Sequence, residues 1–120
     1  MPESYGFTSI THQMKPFIGD HPPVMGPGTL SGGKHVAGTI VATVTATGVR
    51  VQLDPAGADG SEKASGILCV DLDASAGDEP GVFLDHGIGV DMYLTWPEGI
   101  TSAEKAAAVS DLKSAGIYIQ

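Results

Sequence analysis

Between Thr39 and Thr47 the chain alternates. Ile40, Ala42, Val44 and Ala46 fall on one side and Thr39, Thr43, Thr45 and Thr47 on the other, the two-residue period of a strand with one buried face. Thr47-Gly48 interrupts the pattern as a turn. Val49, Val51 and Leu53 then alternate with Arg50, Gln52 and Asp54, so the two runs predict a β-hairpin. GILCVDL at 66–72 is an apolar run without clean alternation, which reads as a short buried strand. VFL and VDMYL predict two more strands, separated by a turn over DHGIG at 85–89, while DPAGADGSEK (54–63) and DASAGDEPG (73–81) are loops by composition.

Near the C-terminus the pattern becomes helical. Thr101 and Glu104 have the T-x-x-E spacing of a capping box, in which each side chain satisfies a backbone N–H left over at a helix start. An Ala-rich stretch continues to Ala115, with Val109 and Leu112 as its core stripe. Gly116 supplies a stop and IYIQ a final short strand.

The first 27 residues follow neither period. They hold five of the eight prolines, each lacking an N–H donor and biasing its predecessor toward extended structure, so they predict an arm rather than a packed element. The arm is not polar, however: Tyr5, Phe7, Ile10, Met14, Phe17, Ile18, Val24 and Met25 give it large apolar side chains, and such a segment needs a surface to lie against. The expected fold class is therefore α+β. A small, mostly-β domain of short strands and one capped C-terminal helix occupies 28–120, preceded by an extended N-terminal arm over 1–27. A chain of 120 residues, with seventeen glycines and few aromatics, fits one such turn-rich domain with a modest core.

Charge narrows the partners. Residues 1–50 carry two acids against three bases and residues 51–120 twelve acids against three, for a net charge of −8. Six Lys and Arg residues cannot build the basic face that phosphate neutralisation requires, so direct nucleic-acid binding is not expected. Neither a secretion signal nor an apolar stretch long enough to span a membrane is read in the sequence, which predicts a soluble protein without a membrane partner. Cys69 is the only cysteine and lies in an apolar run, so a buried reduced thiol is expected.

Candidate chemistry is thin. Gly28, Gly33 and Lys34 in GPGTLSGGKH match G-x-x-x-x-G-K, but His35 stands where a phosphate loop needs Ser or Thr. HPPVMGP precedes it in place of a buried strand, and a Thr/Val strand follows in place of a helix. Its glycines read instead as turn residues at a flexible joint between arm and body. His12, His21, His35 and His86 have no metal spacing, Asp71 and Asp73 lack the calcium-loop pattern, and Asp85-His86 are sequence neighbours rather than a dyad. No catalytic, cofactor or metal residues are assigned, and the residues favour binding or assembly over catalysis.

With these residues placed, the chain resembles the head decoration, or capsid cement, proteins of lambda-like tailed bacteriophages. The resemblance runs from GTLSGGK at 28–34 to the terminal IYIQ and is strongest in ASGILCVDLDAS (64–75) and YLTWPEGITSAEKAAAV (93–109). It implies a non-enzymatic homotrimer, made in the host cytoplasm and bound outside the expanded head at threefold and quasi-threefold positions. There its partner is the major capsid (coat) protein, and it stabilises the shell against the pressure of packaged DNA. It also implies that the arm, through Tyr5, Phe7, Ile10, Met14, Phe17 and Ile18, orders on the coat and can add a strand to it. Trp96-Pro97 is then a core or trimer-seam tryptophan, with an ordinary trans bond or a cis one. A trimeric tail, baseplate or host-surface-binding module is the alternative function, and a small nucleotide-dependent enzyme a distant third.

Overall fold

Apolar residues on both parities of the central strands, rather than on one, determine the architecture. In the computed structural model, which describes residues 23–120, Ile40, Val41 and Ala42 are all buried, as are the adjacent pairs Ile67–Leu68 and Phe83–Leu84. Successive strand side chains point to opposite faces, so each run feeds two cores at once. One cluster joins Leu30, Val41, Leu68, Ala74 and Phe83; the other joins Ile40, Ala42, Ile67 and Leu84 to Ala108, Leu112 and Ile117.

Strands β1 (Val24–Leu30), β2 (Gly33–His35), β3 (Ile40–Thr43), β4 (Arg50–Gln52), β5 (Ala64–Leu68), β6 (Leu72–Ala74) and β7 (Glu79–Gly89) precede a 3₁₀ turn at Asp91–Tyr93. Helix α1 (Ser102–Ser114) and strand β8 (Ile117–Ile119) complete the chain. The main sheet runs β1-β4-β3-β5-β7-β8, and β1 also pairs antiparallel with β7, which closes its first five strands into a ring. The first cluster fills the inside of that ring, and α1 covers the second outside it. β2 and β6 form a separate two-stranded ribbon.

The expected hairpin is present, with Val41 opposite Gln52 and Thr43 opposite Arg50, and its turn closes with Val44 and Val49 hydrogen-bonded at 2.9 Å. Thr39, expected on the polar face, is instead buried, and its hydroxyl donates to the Val36 carbonyl at 2.8 Å. The capping box forms as expected: the Glu104 N–H donates to Thr101 Oγ1 and the Thr101 N–H to the Glu104 carboxylate. Gly116 follows the helix at φ +96°, a conformation costly for any residue with a Cβ. The helix buries Ala108 and Leu112, one turn apart, whereas Val109 is only half-buried.

Three local expectations are corrected. DHGIG is not a turn but the second half of the 11-residue β7, whose Gly87–Gly89 pair in parallel with Ile117–Ile119. VDMYL is not a strand; the 3₁₀ turn occupies its centre. GILCVDL breaks after Leu68, where Asp71 turns away to accept the Ala37 N–H at 2.8 Å, and Leu72 begins β6.

The stretch GPGTLSGGKH is likewise not a flexible joint. Its first half lies in β1, which runs across the 27/28 division opposite seven residues of β7, from Val24↔His86 to Leu30↔Glu79. Pro27 is compatible with this because β1 meets β4 only at Leu30↔Arg50, leaving most of one strand edge without a ladder to supply.

Candidate functional site

Residues singled out by the phosphate-loop pattern are spread over strands. Gly28 belongs to β1, while Gly33, Lys34 and His35 pair with Ala74, Asp73 and Leu72 of β6, and the His35 ring donates to the Gly32 carbonyl at 2.9 Å. Among the described residues strand β3, not a helix, follows them, which removes the geometry that cradles a phosphate. Asp73 is engaged locally: the Ser75 hydroxyl and N–H both donate to its carboxylate and hold its pKa below the ordinary value of 3.8. Asp59 is lowered in the same way by Ser61, whose hydroxyl donates to it at 2.5 Å. Among the described residues no three His, Cys, Asp or Glu side chains converge on a metal-sized space. Cys69 is buried as expected.

A shallow groove lies between the β3–β4 hairpin, the 54–63 loop and the end of α1. Small or charged side chains such as Thr43, Thr45, Lys63, Ser65 and Asp111 line it, with no histidine or cysteine among them. It offers no nucleophile–base pair. Among the described residues no helix is long and apolar enough to cross a membrane.

Sequence reasoning missed two polar clusters, one against the inner core and one on the outer side. In the first, Arg50 of β4 reaches across to Asp85 of β7, Nη2 to Oδ1 at 3.0 Å, with its guanidinium carbon 4.9 Å from the centre of the Phe83 ring. Room for this side chain comes from glycines. A Cβ on Gly66 would stand 2.4 Å from Arg50 Nη1, and one on Gly28 within 3 Å of Phe83. Nη1 is buried and has no hydrogen-bond partner among the described residues, so Asp85 is the main compensation for a charge that is only 17% exposed.

The second cluster centres on Asp91 in the 3₁₀ turn. Trp96 Nε1 donates to Asp91 Oδ1 at 2.8 Å and Lys105 Nζ to Oδ2 at 3.1 Å, and the same Lys105 lies 5.1 Å over the indole. Partial burial pushes the Asp91 pKa up, but the two hydrogen bonds and the Lys105 charge outweigh it and hold the group below 3.8. Trp96 itself packs on the outer core, and its bond to Pro97 is trans. The turn so held exposes its two apolar members, Met92 at 79% and Tyr93 at 50%. Nothing local in the sequence links Asp91 to Lys105, fourteen residues on.

The residues assigned to the capsid-binding arm, Tyr5, Phe7, Ile10, Met14, Phe17 and Ile18, lie outside the described residues. The body to which they are joined begins at β1, and the chain enters it at Val24, beside His86 of β7. No curated protein matches the chain. The family model described as bacteriophage lambda head decoration protein D does match, over residues 24–117, an interval that opens on the first residue of β1 and closes on the first of β8. A match over more than three-quarters of the sequence is decisive: the chain belongs to the bacteriophage lambda head decoration protein D family, structural and non-enzymatic proteins of the outer surface of the phage head.

Proposed function

We propose that this decoration protein binds the expanded head as a homotrimer, at threefold and quasi-threefold positions, and stabilises the shell against the pressure of packaged DNA. Its partner is the major capsid protein, and the part of residues 1–27 that precedes β1 forms the docking arm, with Tyr5, Phe7, Ile10, Met14, Phe17 and Ile18 as apolar anchors. The observation that carries this reading is the mounting of the arm's root: β1 is laid along seven residues of β7, so the apolar sequence ahead of it is tied to a fixed point on the body.

Burial of the anchors contributes about 25 cal/mol per Å² of apolar surface, opposed by the entropy of ordering the segment. A single arm therefore binds weakly. Three arms on one trimer act at high effective concentration, which raises avidity by about two to four orders of magnitude where all three sites are within reach. Backbone pairing of the arm with a coat strand supplies a part of the affinity that tolerates sequence change.

The test is deletion of residues 1–21, which leaves β1 whole. Light scattering should still give three chains per particle, while sedimentation with expanded heads should show occupancy collapsing. Unexpanded heads should bind neither form. A truncated protein that saturates heads as the full chain does sinks the arm, and a monomeric mass for the full chain sinks the trimer.

A further inference from the structure

Four of the six exposed large apolar side chains among the described residues lie beside, or just after, the C-terminal end of β7. Val24 opens β1 and is 56% exposed; Tyr118 of β8 is 44% exposed; Met92 and Tyr93 form the 3₁₀ turn that follows β7. The ladders connect them. Gly87 and Gly89 pair with Ile117 and Ile119, whose side chains pack toward the α1 core, so Ile88 and its partner Tyr118 face the other way. His86, next along that face, pairs with Val24. The 3₁₀ turn is joined to the same end by the Asp91 N–H, which donates to the Gln120 carbonyl at 3.0 Å.

We infer that this end, formed by Val24, Met92, Tyr93 and Tyr118, is a second contact of the body with an apolar surface of the coat protein, beside the root of the arm. The inference rests on the head-binding reading above. Its occupant follows from where the chain enters: the 22 residues ahead of Pro23 join the body at Val24, inside the patch, so an arm laid on the coat brings this end against the coat as well. The polar frame fits the same purpose. Asp91 is held by Trp96, Lys105 and the Gln120 carbonyl, which fixes the backbone that presents Met92 and Tyr93 before any partner arrives. Apolar groups held rigid while still in water lose little entropy on docking.

The test uses the full chain and expanded heads lacking it. Met92→Asp/Tyr118→Asp should raise the concentration for half-saturation by about tenfold or more, the effect of removing interface anchors. Its oligomeric mass and melting temperature should stay near those of the parent. Val82→Asp, an exposed apolar site toward the other end of β7, should bind as the parent does. Met92→Asp alone keeps the test open if the Tyr118 change loosens β8, since Met92 is almost fully in water. Unchanged saturation by these variants, with binding still lost on deletion of residues 1–21, overturns this patch and leaves the arm standing. Undiminished binding by the truncated chain overturns the arm, and a full chain that does not bind expanded heads overturns the head-binding reading itself. A drop in oligomeric mass for Met92→Asp/Tyr118→Asp overturns the coat as occupant, because the patch is then a seam between copies.

Discussion

Arg50 and Asp85 should respond unequally to substitution, because the ring surrounds one partner more than the other. The Arg50 side chain is 17% exposed and that of Asp85 39%. Replacing Asp85 by Ala strands a mostly buried guanidinium whose Nη1 already lacks a partner among the described residues. Removing one member of a fully buried pair costs about 3–5 kcal/mol, and discounting for the water that reaches Asp85 leaves roughly 2 kcal/mol. Arg50→Met removes the charge but keeps an apolar stem against Phe83, and it leaves a carboxylate that can turn to solvent; its cost should stay below about 1 kcal/mol.

Adding Asp85→Ala to Arg50→Met should then cost little more, so the double-mutant cycle closes with a coupling of about 1–2 kcal/mol. For a body of this size, 2 kcal/mol corresponds to a fall in Tm of about 8–16 °C. Urea unfolding followed by the fluorescence of Trp96, the only tryptophan, gives the four free energies, at one fixed protein concentration so that assembly does not distort them. If Arg50→Met proves as damaging as Asp85→Ala, the asymmetry argued from burial is wrong.

Two further outcomes follow from the outer face. Thr101→Ala removes a capping hydrogen bond to the Glu104 N–H and should cost about 1 kcal/mol by urea unfolding, with Thr101→Ser recovering most of it. Acid should loosen the Asp91 turn: the carboxylate's pKa is lowered on folding, so its stabilising effect is complete above 3.8 and is lost as pH falls through the depressed folded value. Trp96 emission should therefore shift below about pH 3.8, and the shift should be absent in Asp91→Asn.

What the sequence displayed and what it hid differ by range. The capping box, the Gly116 stop and the Thr47-Gly48 turn depend on residues at most a few positions apart, so their chemistry is visible in a short window. The errors lie where a strand's partner is distant. DHGIG has a turn composition, but its glycines serve close approach: a Cβ on Gly89 would meet Ile67, Leu94 and Ile119 at 3.0–3.4 Å, which no local rule can anticipate. GPG in β1 looked like a joint for the same reason, since Gly26 and Gly28 face the Arg50–Asp85–Phe83 group supplied from 20 and more residues away. Thr39 read as polar surface because alternation does not reveal that both faces of a strand are covered. The exposed turn around Met92 was illegible because VDMYL has the composition of a strand, and distant partners, among them the Gln120 carbonyl, fix it beside β8.

The β1–β7 ladder has a mechanical consequence. Inter-strand hydrogen bonds in an antiparallel pair lie perpendicular to the strands. Tension entering at Val24 along the axis of β1 would therefore load the seven pairs together in shear, instead of opening them one after another like a zip. A shell that swells under a decoration protein pulls on its attachments. If the segment ahead of β1 holds the coat as proposed, a pull along this strand is shared by the whole ladder, and that attachment, which can re-form, should yield before the fold does.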